Sequence, residues 1–160
     1  MVRNNPGAGE THRLTSSKTM SRSELGLFND SLARCREHGH FFDQFLELFL
    51  ASSEEVRAKF HTTDIAQQRR MLQSSFYMLV EYLALGSPES EKYLERIAAE
   101  HGKHARDIAP HLYDYWLESL LRAVWSCDSH YSAEIEAAWR YVMGVGITFF
   151  TSRYDGPRAE

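Results

Sequence analysis

Apolar side chains recur through most of this chain at spacings of three and four residues, and hydroxyl, acidic or glycine residues mark where one such stretch gives way to the next. That spacing puts side chains on one face of a helix, whereas a half-buried strand needs strict alternation of apolar and polar residues. No convincing alternating run occurs, so the pattern confines the chain to amphipathic helices packed on one another.

The stretches can be followed in order. Ser21 to Glu24 reads as a Ser-x-x-Glu capping box, after which Leu25, Phe28, Leu32 and Cys35 share a stripe that Gly39 stops. Phe41, Phe42, Phe45, Leu46, Leu48, Phe49 and Leu50 are so crowded that the next helix must be buried on most of its circumference. Ser52 to Glu55 forms a second capping box, opening a short turn through Val56 to Phe60. From near Asp64 to about Leu85, the residues Met71, Leu72, Ser75, Phe76, Leu79, Tyr82 and Leu83 form one stripe, closed by Gly86. Ser87 and Pro88 supply a cap and a first helical residue, and Leu94, Ile97, Ala98 and His101 then share a face.

After a polar break from Gly102 to Asp107, Pro110 is expected to open a helix carrying Leu112, Tyr113, Trp116, Leu117, Leu120, Leu121 and Val124. Ser132 caps the last helix, with Ile135, Trp139, Val142, Met143, Phe149 and Phe150 facing inward. Gly144 and Gly146 interrupt it at a cost of about 1 kcal/mol each relative to Ala, so both are expected to permit a close approach. The expected class is all-α, with about seven helices. Residues 1–20 hold few apolar side chains and read as a disordered tail, 21–155 as one domain, and 156–160 as a short C-terminal tail.

With 160 residues and 43% hydrophobic content the chain can close one core but hardly two. A 25% charged fraction and a net charge of -4 carry no basic excess to neutralise phosphates, which argues against a nucleic-acid partner. No uncharged apolar run reaches the roughly 18 residues of a membrane span, and no apolar leader opens the chain, so the expected location is the cytoplasm, without membrane contact. Cys35 and Cys127 form no CxxC pair and sit in apolar helical patterns as small buried side chains.

His101 ends an apolar stripe where charge begins. Read from the residues alone, such a histidine is more often a satisfied core residue than a ligand. Several local strings then bear on it together: Phe45-Leu46-Glu47-Leu48-Phe49-Leu50 leading through Ser53-Glu54-Glu55-Val56 to Phe60; Thr63-Asp64 with Gln68 to Leu72; and Glu100-His101 followed by Pro110-His111-Leu112-Tyr113. In this order they resemble the globin family over roughly residues 24 to 154, in particular bacterial single-domain globins and the globin half of flavohaemoglobins.

The resemblance implies a globin fold holding haem b, with His101 as the one protein ligand to iron and a diatomic gas, oxygen or nitric oxide, on the other side. It implies that Phe60 wedges against the porphyrin, that Gln68 and Leu72 overhang the gas, that Leu46 stands over the same side, and that Ile97 and Tyr113 line the pocket beside His101. Among the other histidines, His104 reads as a solvated loop residue, His61 as a mouth residue that could reach iron as a sixth ligand, and His111 as a surface group. Arg69, Arg70 and Lys103 either pair with haem propionates or simply sit on solvated faces.

Two departures from the family pattern matter. Many bacterial globins carry a tyrosine on the second helix that donates to bound dioxygen; here the register holds Leu46, and no tyrosine occurs from Ser21 until Tyr77. Gln68 is then the principal donor, and a bond of this kind is worth on the order of 1.5 to 3 kcal/mol. In flavohaemoglobin-like globins a glutamate on the last helix helps orient the proximal imidazole; counted from Trp139, its place falls to Tyr154, and a phenol gives the ring no carboxylate push. The chain is expected to hold no flavin domain, so turnover such as nitric oxide dioxygenation would draw on an external reductase. The alternative implied role is a regulatory globin that passes a signal to a partner protein, with haem or without it. A homodimer also fits, and Trp116, Trp125 and Trp139 divide between core and partner surface, with at least two expected in the core.

Overall fold

The computed structural model describes residues 16–156, and within them every regular element is a helix. There are seven: α1 (Ser16–Glu37), α2 (Phe41–Ala51), α3 (Glu54–Phe60), α4 (Ile65–Leu85), α5 (Pro88–His101), α6 (Leu112–Cys127) and α7 (Ala133–Thr151). The all-α expectation therefore holds. Of the tail readings, 1–20 and 156–160, residues 1–15 and 157–160 lie outside the described residues, while 16–20 are a correction, since they belong to the first turns of α1.

Local chemistry sets most of the boundaries. Gly39 and Gly86 leave α1 and α4 with φ of +68° and +59°, the left-handed region that costs glycine nothing. Asp64 caps α4 by accepting from the Ala66 and Gln67 N–H groups, and Ser87 and Ser132 accept from Ser90 and Ile135 at the starts of α5 and α7. Three predicted starts shift. α1 already runs through Ser21, so no capping box opens there. Ser53, not Ser52, caps α3: the Ser52 hydroxyl turns back to the Phe49 carbonyl at the end of α2, which leaves Ser53 to accept from Val56 at 3.1 Å. Pro110 lies in a turn before α6, its carbonyl accepting from the Tyr113 N–H at 3.2 Å.

α2 is buried as its composition demands, with Phe41, Phe42, Phe45, Leu46 and Phe49 inside and Glu47 facing out. It packs mainly on α6, while α1 packs mainly on α7. Trp139 of α7 is fully buried between them, edge-on to Phe28, Phe41 and Phe76. Trp116 meets Phe45 and Phe76 edge-on and packs, partly buried, against the core, whereas Trp125 is exposed. Of the two glycines of α7, only Gly146 serves close packing: a Cβ there would lie 3.1 Å from Leu79 Cδ2, while one on Gly144 would meet nothing within 4 Å.

One polar network crosses this core. Trp139 Nε1 donates to Ser31 Oγ at 2.8 Å, and Ser31 Oγ donates to Asp128 Oδ2 at 2.6 Å. Arg34 grips the same carboxylate through Nε and Nη2, and the His130 N–H adds a fourth bond. Burial pushes the Asp128 carboxyl up, but the bonds from Arg34, Ser31 and His130 outweigh it and hold the group at about 2. Cys35 and Cys127 are buried free thiols, and burial drives Cys35 up to about 12, which keeps it protonated and inert.

Because the folded-state value of Asp128 lies below its ordinary 3.8, its stabilisation is complete above that pH and is lost as pH falls toward 2. The loss is expected to reach about 2 kcal/mol over this window, and Asp128→Asn should flatten that part of the profile. Chemical denaturation at pH steps from 5 to 2 measures it; equal slopes for the two proteins would refute the assignment.

Candidate functional site

α4, α5, α6 and α7, with the ends of α2 and α3, enclose one large apolar cleft containing about 1200 Å³ of empty space, part of it open to solvent. The walls follow from the stripes. Leu46 comes from the buried face of α2, Phe60 from the last residue of α3, Gln68 and Leu72 from successive turns of α4, Ile97 and His101 from α5, and Tyr113 from the first turn of α6. All seven residues singled out in the sequence thus border the same cleft. Gln68 and Leu72, four apart, share a helical face as their spacing requires.

His101 is the last residue of α5. Its Nδ1 lies 3.3 Å from Tyr113 Oη, and its ring stands edge-on to Phe150 at 5.6 Å between centroids. Nε2 has no hydrogen bond to protein among the described residues, and no buried side-chain nitrogen or oxygen there lacks a partner, so Nε2 opens onto the cleft. Burial, with the nearby charge of Arg106 adding, lowers the His101 pKa to about 4. The ring is neutral at physiological pH and keeps a free lone pair. Burial also drives Tyr113 up to about 12, so its phenol stays protonated.

The other polar groups of the cleft are few. Ser75 Oγ is engaged with Tyr93 Oη at 3.3 Å, whereas the Gln68 side-chain amide has no hydrogen-bond partner among the described residues. Among those residues no group of three or more His, Cys, Asp or Glu side chains could hold a bare metal ion.

The remaining sequence candidates disperse. His61 is exposed, its Nδ1 within 2.8 Å of the Ala58 carbonyl, and His104 is exposed in the loop after α5. His111 pairs on the surface with Glu55 at 2.8 Å. Arg69 is taken by Asp43, and Arg70 and Lys103 point outward, so the cation that does border the cleft is Arg106. Tyr154 is a correction: α7 ends at Thr151, Tyr154 sits in the following turn, and its phenol donates to Asp107 rather than reaching His101. Phe150 is the α7 residue that meets the imidazole. The stripe of α7 carried that signal, since Phe150 follows Gly146 by four residues; Arg106 sits in a loop, where no periodicity could reveal it.

Fold and cleft together define an all-α protein built around one apolar pocket with an imidazole in its wall. The chain is similar to a protein of Pseudomonas aeruginosa PAO1 whose crystal structure is described as structurally highly homologous to a human hemoglobin, with 42% identity over 83% of this chain and 99% of that one and a TM-score of 0.77. No protein-family model and no curated protein matches the chain. The chain belongs to the globin family, and its seven helices are the globin fold.

The folded chain holds His101 neutral down to about pH 4, while the unfolded chain takes up its proton near 6.5. Stability of the protein is therefore expected to fall as pH drops through this window, by on the order of 2 to 3 kcal/mol. Urea unfolding of wild type and His101→Leu checks it: the variant should lack this slope, and parallel profiles would contradict the assignment.

Proposed function

We propose that this globin binds haem b in the cleft through His101 Nε2 and presents it to a diatomic gas, oxygen or nitric oxide. The observation that carries the reading is the neutral, cleft-facing imidazole, held from behind by Tyr113 and from the side by Phe150. The residues present fit the group. A porphyrin is flat and apolar, and the slot between α4 and α5 is walled by Leu72, Ile97, Phe60 and their neighbours. When bound, haem iron supplies the site at which the gas is held.

The chain's own residues divide the remaining tasks. Were Nε2 to hold the metal, Nδ1 would carry the proton and donate to Tyr113 Oη, which would fix the tautomer and the plane of the ring. Arg106, at the edge of the cleft, suits a propionate carboxylate. Gln68 offers the free amide on the α4 side, in a cleft that Leu46 and Leu72 also line. Position 46 is leucine and the Tyr113 phenol of the cleft is engaged with His101, so a gas that draws negative charge would draw mainly on Gln68. Turnover beyond binding would need an electron donor, and the reading is that of a cytoplasmic oxygen or nitric oxide carrier or scavenger.

Purified protein reconstituted with haemin is expected to show a stoichiometric Soret band that His101→Ala loses and His104→Ala keeps; the reverse pattern would refute the ligand. Gln68→Leu is expected to speed dioxygen release by about one to two decades while leaving carbon monoxide release nearly unchanged, since the latter gains little from a donor. Stopped-flow displacement measures both. Equal changes for the two gases would mean a steric effect and would remove Gln68 from its role.

A further inference from the structure

We infer that the turn after α7, residues 152–156, is a strap that positions the His101 imidazole, with Tyr154 as its positioning residue. The inference deepens the reading of His101 as the haem ligand and rests on it for the haem-loaded measurements alone. The chain leaves His101 through Gly102 into a loop that folds back on the helix end. Ile108 N–H donates to the His101 carbonyl at 2.9 Å, Arg106 N–H to Glu100 at 3.0 Å, and Asp107 N–H to Gly102 at 2.9 Å. The same loop carries Arg106 and Ile108 to the cleft.

Tyr154 holds this loop near both ends. Its carbonyl accepts from the Lys103 N–H at 2.9 Å, and its phenol donates to the Asp107 carboxylate. Gly102 is buried in the joint: a Cβ there would lie 3.3 Å from the carbonyl oxygens of both Tyr154 and Ala99, backbone atoms that cannot swing aside. Asp107 sits at a φ of +54°, a left-handed conformation that aspartate tolerates better than most residues, and its carboxylate meets the phenol from there.

The strap is itself anchored to α7. Ser152 N–H donates to Thr148 at 2.9 Å, and Arg153 donates to the Phe149 carbonyl at 3.2 Å while its guanidinium lies 3.6 Å over the Phe149 ring. The end of α7 therefore meets the histidine twice, directly through Phe150 and indirectly through the loop that Tyr154 clamps. Imidazole tilt is set jointly with the position of Arg106 and Ile108, and loosening Tyr154 should release all three.

The test compares full-length wild type, Tyr154→Phe, and Asp107→Asn, a conservative change that keeps an acceptor oxygen and tolerates the left-handed backbone. In the haem-free protein, amide exchange over residues 102–108 and the His101 ring carbon resonances report the strap without the cofactor. In the haem-loaded protein, the iron–imidazole stretching band and the rate of haem transfer to an apoglobin acceptor report the ligand. Tyr154→Phe is expected to raise exchange in the loop about two- to ten-fold, to shift the His101 resonances and the stretching band, and to speed haem transfer by a similar factor, with Asp107→Asn close to wild type. Unmoved His101 resonances in Tyr154→Phe, or faster exchange spread evenly over the whole chain, would overturn the positioning role. If wild type took up no haem, the ligand reading would fail while the haem-free measurements still decided the strap.

Discussion

The contact on which the rest of this structure depends is the edge-on cluster around Trp139. Its ring meets Phe28 of α1, Phe41 of α2 and Phe76 of α4, so one α7 side chain ties together helices distant in sequence. Aromatic rings packed edge to face gain from their quadrupoles as well as from burial, which favours a fixed arrangement over a merely greasy one. The indole N–H is satisfied through Ser31 and, beyond it, by the buried Asp128 carboxylate that Arg34 grips. Removing Ser31 would leave the buried indole N–H unpaired, so this network favours one packing of α1 against α7.

That cluster also shapes the cleft. Phe76 reaches from Trp139 to Trp116 and Phe42 and presents its other side to the pocket. The floor of the site is therefore the roof of the core. Gly146 lets α7 approach Leu79 of α4 nearby, and an added Cβ there would make the Leu79 side chain give by a few tenths of an ångström. The polar content of the cleft is reduced to a few placed groups. Most cleft-forming residues exclude water, and the few that remain polar are either satisfied by protein, as Ser75 and Tyr113 are, or free to meet a ligand, as Gln68 and His101 Nε2 are. Burial that keeps His101 neutral is also what makes its lone pair available.

Much of this was legible before any coordinates. Helix number and class followed from periodicity, and the capping residues Asp64, Ser87 and Ser132 and the terminating Gly39 and Gly86 stand where local hydrogen bonding and left-handed geometry require them. The seven residues that the resemblance to globins named for the pocket all border one cleft; Leu46, Leu72, Ile97, His101 and Tyr113 also lie on inward stripes, which are a property of sequence, whereas Phe60 and Gln68 lie on none. The errors fall where two local rules compete. Ser52 and Ser53 are both good caps, and the one whose hydroxyl was not already bonded to the preceding helix took the position. Gly144 and Gly146 are the same residue type two apart, but they face different sides of α7, and one of those sides has a neighbour.

The sequence by itself determined which residues would be helical, where most helices would end, and which faces would turn inward, because those depend on interactions within a few residues of one another. It could not determine which cations would stay free or where the chain would run after its last helix. Arg69 was claimed by Asp43, Arg106 was carried to the cleft by a loop, and Tyr154 was directed to Asp107 instead of to His101. Those outcomes rest on contacts between segments as many as 47 residues apart. Long side chains and loop backbones have several partners of similar strength within reach, and only the packing of the whole chain brings one of them close enough to win.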